Sequence, residues 1–123
     1  MRSYNQERIN DLLREAIGQI VDRDVKDPRI HFVTITRVET SVDRRYATIF
    51  FSILGGEDER DNTLTGLKNA TPYIRTRLAN MVSLRRIPEL RFKYDRNIEY
   101  SAHISQLLNQ IKSERVSDEE RDG

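Results

Sequence analysis

The spacing between apolar residues changes along this chain, and those changes restrict its fold more than any other feature. Ile9, Leu12, Leu13, Ala16, Ile17, Ile20 and Val21 recur at helical intervals and form one continuous face. Ser3 and Gln6 stand at capping-box spacing ahead of them. Asp27-Pro28 ends the pattern, because a residue before proline is pushed out of the α region. The period then drops to two. The segments HFVTITRVET and RRYATIFFSIL are rich in β-branched and aromatic residues and flank the polar turn SVDR, which predicts a hairpin. In its second strand Ala47, Ile49, Phe51 and Ile53 share one face, opposite Tyr46, Thr48, Phe50 and Ser52. In the first strand Val33 and Ile35 have one parity and Val38 the other, so a bulge or strong twist is expected near Thr36-Arg37.

Gly55-Gly56 stops the second strand, and Glu57 to Asp61 place negative charge where a helix start favours it. Helical spacing continues through Leu64, Leu67 and Ala70, meets Thr71-Pro72, and resumes with Ile74, Leu78, Met81 and Val82 before Pro88. The proline predicts a break there and a fresh helix N-terminus in mid-fold. ELRFKYD alternates Leu90, Phe92 and Tyr94 against Arg91, Lys93 and Asp95, a half-buried strand with a basic outer face. A last helix is expected from Ile104, Leu107, Leu108 and Ile111. These elements compose one α+β domain over residues 1–112, helices on one side of the sheet, followed by an acidic, disordered tail at 113–123.

A chain of 123 residues with 37% apolar and 33% charged residues suits one small, soluble domain. No apolar run approaches the ~20 residues that span a bilayer, and the N-terminus lacks the apolar region of a signal peptide. The absence of cysteine removes disulfides and thiolate metal sites and fits a reducing cytoplasm. His31 and His103 lack metal-ligand spacing, and no nucleophile elbow, P-loop or dinucleotide fingerprint occurs. A metal site from Glu57, Asp58, Glu59 and Asp61 is the remaining enzymatic reading; neighbouring carboxylates on one turn converge poorly, so a solvated acidic helix start is expected, with no cofactor.

The net charge of +1 conceals an asymmetry. From Lys68 to Arg96 eight basic residues face only Glu89 and Asp95, whereas GGEDERD and the tail are acidic. Charged residues between apolar ones are usually the wet side of an amphipathic element, with signs mixed. A segregated run of arginine and lysine instead suits a polyanion, whose phosphates match the guanidinium fork. Lys68, Arg75, Arg77, Arg85, Arg86, Arg91 and Lys93 are the candidate RNA contacts, grouped around the junction Ala70, Thr71 and Pro72. Arg75 and Arg77, two positions apart on a helix, diverge by ~200° and cannot share one centre.

RDVKDPRI after the first helix, the hairpin, and YIRTRLANMVSLRRIPELRFKYD together resemble ribosome-binding factor A, a family of bacterial small-subunit maturation factors. The likeness runs from about Arg8 to Ile111 and is most specific at Lys26-Asp27-Pro28-Arg29, Ile74-Arg75, Leu84-Arg85 and Pro88-Glu89-Leu90 followed by Phe92 and Tyr94-Asp95. It implies a type II KH-like domain: a three-stranded mixed sheet with helices packed on one face, and a helix–kink–helix replacing the Gly-x-x-Gly loop of ordinary KH modules. The family kink is typically Ala-x-Gly; here Ala70 matches and Pro72 stands where glycine would. The resemblance further implies a non-enzymatic, monomeric, cytoplasmic factor. It would bind the free 30S ribosomal subunit and 16S rRNA, assist late maturation and 5′-end processing, notably in the cold, and engage no membrane. A KH-like module for other RNA or a protein partner is the alternative.

Overall fold

In the computed structural model the described residues are 4–97 of 123. The expected last helix, the tail, His103 and the capping residue Ser3 lie outside them. The order is α1 (Tyr4–Arg23), β1 (Val33–Thr40), β2 (Tyr46–Ile53), α2 (Glu57–Met81) and β3 (Glu89–Tyr94). The sheet order is β1-β2-β3, with β1 antiparallel to β2 and β3 parallel to it. A parallel neighbour cannot be reached by a tight turn, so α2 must carry the chain from the end of β2 back to the start of β3.

The period-two reading of β2 holds. Ala47, Ile49 and Phe51 are buried and pair with Leu90, Phe92 and Tyr94 on one side and Thr40, Val38 and Ile35 on the other. The expected bulge is present: the register slips between Ile35 and Arg37, which turns both Ile35 and Val38 inward. α1 packs on β1, and α2 on β3 and α1. Leu13, Ile17 and Ile20 from α1 meet Leu67, Ile74 and Leu78 from α2 in one core, all fully buried.

The face of α1 differs in one respect from an apolar reading. Leu12 is exposed, while Gln6 and Asn10 are buried. The Asn10 Oδ1 accepts from the Thr40 amide at 3.0 Å and the Thr40 hydroxyl at 2.8 Å, and the Gln6 amide donates to the Thr40 carbonyl at 2.6 Å. β1 is an edge strand, and these side chains satisfy backbone groups that would otherwise be buried without partners.

The break expected at Thr71-Pro72 does not occur. α2 is one helix of 25 residues with Pro72 inside it, so there is no fresh N-terminus and no outward row of amides at that point. Interior proline removes the bond to the carbonyl four residues earlier, here Lys68, and costs roughly 3 kcal/mol relative to alanine. Lys68 and Pro72 are both exposed, so water can serve that carbonyl. Ile74 and Leu78 lie beyond the proline and are fully buried, each side chain contributing about 1.5–3 kcal/mol. Burial outweighs the lost bond. Within the continuous helix Pro72 leaves a missing amide, and the Thr71 and Thr76 hydroxyls donate to the Leu67 and Pro72 carbonyls at 2.9 and 3.0 Å.

Asp95 also departs from expectation. Alternation placed it on the outer face with Arg91 and Lys93, but it lies one residue past β3 and is 2% exposed. Its amide donates to the Phe51 carbonyl at 2.8 Å, extending the parallel ladder. Its carboxylate accepts from the Thr36 hydroxyl at 2.6 Å and the Asn97 amide at 3.0 Å, with Arg37 Nε 3.5 Å away. One carboxylate thereby ties the β1 bulge to the end of β3.

Pro72→Ala restores one helical bond without touching the core and should raise stability by about 1–3 kcal/mol, read as a higher urea midpoint at unchanged slope. Asp95→Ala leaves the Thr36 hydroxyl and Arg37 facing an empty site and should cost about 2–4 kcal/mol. In the Thr36→Val background that cost should be smaller, as a double-mutant cycle would measure.

Candidate nucleic-acid interface

Because β2 and β3 are parallel, they begin at the same end of the sheet, and the segments leading into them are neighbours. The Glu89 amide donates to the Arg45 carbonyl at 2.8 Å, which brings the hairpin loop Ser41–Arg45 against the loop Val82–Pro88. Arg45 therefore stands beside the loop that carries Arg85 and Arg86, while Arg44 lines a cavity with Arg8, Asp11 and Glu15 of α1; Arg44, Arg45, Arg85 and Arg86 are all exposed. Arg44 has φ of 61°, the left-handed backbone of a tight loop, and Asp43 anchors that loop by accepting from the Ser41 hydroxyl at 2.6 Å and the Arg45 amide at 3.1 Å.

Arg75 joins this cluster from α2, its Nη2 donating to the Ile87 carbonyl at 2.9 Å. Arg91, in β3, lies over the Tyr46 ring at 4.1 Å from its centroid, which fixes the direction of an otherwise flexible cation. Six arginines thus collect at one end of the molecule, against Asp43 and Glu89, with Asp11 and Glu15 of α1 beside Arg44. Among the described residues Arg85 and Arg86 have no ion-pair partner.

The candidate residues do not form a single patch. Arg75, Arg85, Arg86 and Arg91 come together. Lys68 lies two turns back along the same flank of α2 as Arg75. Arg77 points to the other flank, where its Nε meets Asp24 Oδ2 at 3.4 Å near the end of α1. Lys93 sits near the far end of β3, beside a cavity it shares with Glu57, Arg60 and Asp61, where charge is mixed. Ala70, Thr71 and Pro72 lie within the α2 helix, about three turns before its last residue. The cluster stands at the C-terminal end of α2, where the helix dipole itself favours cations, rather than at a new N-terminus.

Arg44 and Arg45 are missed by a reading of the charge run alone. They are about forty residues from Arg85 in sequence, and only the parallel pairing of β2 with β3 joins them. A parallel third strand, combined with the RR pair before β2, was the available signal.

The segment Lys26-Asp27-Pro28-Arg29 has a structural use. Asp27 Oδ1 accepts from the Arg29 amide and Nε at 2.9 and 3.0 Å, and Oδ2 from Nη2 at 2.7 Å, closing a bidentate bracket. The Thr63 hydroxyl donates to the Arg29 carbonyl at 3.2 Å. At Gly66 a Cβ would fall 2.9 Å from the Ile30 side chain, so this loop crosses α2 where only glycine leaves room. Arg29 is committed to Asp27 at the surface. Among the described residues no three His, Asp or Glu side chains converge as metal ligands, and Glu57, Asp58 and Glu59 occupy the first turn of α2, with Glu59 Oε2 accepting from the Gly56 amide at 3.0 Å.

Similarity to known proteins extends over almost the whole of this arrangement. The family model for ribosome-binding factor A matches residues 5–108. The chain belongs to the ribosome-binding factor A family. The Thermomicrobium roseum ribosome-binding factor A is 44% identical over 119 residues, covering 97% of this chain and 92% of that one. The crystal structure of the Thermus thermophilus ribosome-binding factor A superposes with a TM-score of 0.66 over 72% of this chain and 93% of its own, at 24% identity, and shares the fold. A homology model of the Thermus thermophilus factor, fitted into a cryo-EM map of a 30S complex, gives a TM-score of 0.59 at 25% identity, over 71% of this chain and 91% of that one. The α+β, KH-like domain implied by the sequence is the fold observed. No described helix is long and apolar enough to cross a membrane.

The Arg29 bracket holds the Asp27 carboxyl at about 2, below its ordinary 3.8, first through the side-chain hydrogen bond and then through the Arg29 amide. A lowered folded-state value means that the stabilisation is fully present above the unfolded value near 3.8 and is lost as pH falls through about 2. An NMR titration of the Asp27 carboxyl should find its midpoint near 2, moving up toward the ordinary value in Arg29→Ala.

Proposed function

We propose that this protein binds the free 30S ribosomal subunit through 16S rRNA and assists late maturation of the particle, including 5′-end processing of 16S rRNA and assembly in the cold. It acts as a cytoplasmic, monomeric binding factor and performs no covalent step. The observation that carries this reading is the family match over residues 5–108, taken with a relative whose coordinates were fitted into a 30S complex.

The arginine end supplies the mechanism. Arg75, Arg85, Arg86 and Arg91, joined by Arg44 and Arg45, neutralise rRNA phosphates, and Lys68 extends the contact along α2. Arg75 belongs to α2 and Arg91 to the strand ladder, and Arg44, Arg45, Arg85 and Arg86 stand on two loops that the Glu89–Arg45 backbone bond ties to each other, which limits how far the cations can spread. Guanidinium groups gathered at one end select RNA whose phosphates come together over the same surface, so shape matters more than base identity. Binding then favours one rRNA conformation over its competitors, and maturation is assisted by a shift in population. Arg77, turned toward Asp24, and Lys93, at the mixed-charge end, stay at the margin.

The protein should comigrate with free 30S particles and only weakly with 70S. Its affinity should fall with salt at a log–log slope of about −0.7 for each phosphate contacted on single-stranded segments. Arg75→Ala, Arg85→Ala and Arg86→Ala together should weaken association by about tenfold or more and flatten that slope, whereas Arg77→Ala alone should change neither. A salt-independent affinity would remove the phosphate mechanism. Equal binding to unrelated RNA, without preference for the particle, would favour a general KH-like module.

A further inference from the structure

Charge of opposite sign gathers at the two ends of α2. At 1.5 Å per residue its 25 residues span about 37 Å, several times the ~8–10 Å screening length at ordinary salt. A ligand held at the arginine end therefore does not feel the other end. There, where β2 finishes and α2 starts, Glu57, Asp58 and Glu59 are all exposed.

Two large apolar side chains stand beside these carboxylates. Phe32 is 73% exposed and Leu54 77% exposed, and they flank the Val33–Ile53 pair at the end of the hairpin. The His31 ring meets the Phe32 ring edge to face at 5.7 Å, and His31, Leu54 and Glu59 line one shallow cavity of about 180 Å³. Phe32 has φ of 54°, a region that bulky residues rarely occupy. No burial within the fold offsets that strain, because the ring is directed into water. Such a side chain gains only when another surface covers it.

We infer that the surface formed by Phe32 and Leu54 docks a basic protein segment, one that lays an apolar side chain against these two residues while its lysines or arginines meet Glu57, Asp58 and Glu59. Glu59 lines the cavity beside Leu54, and Arg29, which also lines it, is already paired with Asp27. Arg60, Lys93 and Arg96 line a separate cavity with Glu57 and Asp61, so the uncompensated charge beside Leu54 is acidic, which repels RNA phosphate and attracts cations. The inference rests on the ribosomal reading only for where such a segment is met: a particle made of RNA and basic proteins presents both ligands together.

The test uses the full chain labelled with ¹⁵N and three probes: a synthetic peptide of alternating lysine and leucine, one of alternating glutamate and leucine, and oligouridylate. The lysine peptide should shift the amide signals of Phe32, Leu54 and Glu59. Leu54→Ser should weaken it by about tenfold, as should Glu57→Gln with Asp58→Asn. Phe32→Asn, which tolerates the left-handed backbone, should weaken it similarly without lowering the urea midpoint. The docking surface is overturned if oligouridylate or the glutamate peptide shifts these signals equally, or if nothing does at millimolar peptide. On the particle, Leu54→Ser should reduce comigration with 30S by about tenfold and leave oligouridylate binding unchanged; undiminished comigration overturns the inference. Should the unmodified protein fail to comigrate, the ribosomal reading falls, and the peptide titration still decides this surface.

Discussion

The parallel pairing of β2 with β3 is the constraint from which the rest follows. It obliges one element to leave the end of β2 and return to the start of β3, and α2 is that element. The helix must keep Leu67, Ile74 and Leu78 in a single row to close the core. A true interruption at Thr71-Pro72 would swing the last two away from Ile49 and Phe92 and expose them. Proline is accommodated because it sits on the side of the helix opposite that row, and its lost hydrogen bond belongs to a carbonyl on the exposed flank. The rule that proline ends helices compares local states only; here a non-local term of larger size decides.

The same return path makes the molecule bipolar. A helix running back along two parallel strands has its N-terminus where they finish and its C-terminus where they begin. Acidic residues in the first turn are stabilised by the helix dipole in the free protein, and the arginines stand past a last turn that carries no base, at the end whose carbonyls favour cations. Local stability and ligand preference therefore point the same way, and neither charge cluster strains the fold while it waits for a partner.

Much of this was legible in the chain. The two periods specified α1, the hairpin and the inward face of β2, and the parity change between Ile35 and Val38 located the bulge that the strand register contains. Three things were not legible, each for a physical reason. Gln6 and Asn10 share the inward face of α1, but their burial is explained only by the edge of β1 that they satisfy. Asp95 continues the alternation of β3 in sequence yet lies past its last rung, where the chain turns inward and Thr36 receives it. Arg44 and Arg45 belong with Arg85 and Arg86 through strand pairing, and a linear count of charge cannot report proximity between distant segments.

A count of basic residues is also a poor measure of how much phosphate a surface can hold. Arg29 is bracketed by Asp27, Arg77 faces Asp24, Arg45 Nε lies 3.8 Å from Asp43, and Arg37 spans Phe50 at 3.8 Å to approach Asp95, so each of these cations already has an internal anion. Transferring such a group to RNA exchanges one ion pair for another, and the net gain is small. Among the described residues Arg85 and Arg86 have no anion to give up, while Arg75 and Arg91 are oriented by a neutral carbonyl and a neutral ring. Those are the guanidinium groups whose charge is still available, and their position at the common start of β2 and β3 is what the strand order dictates.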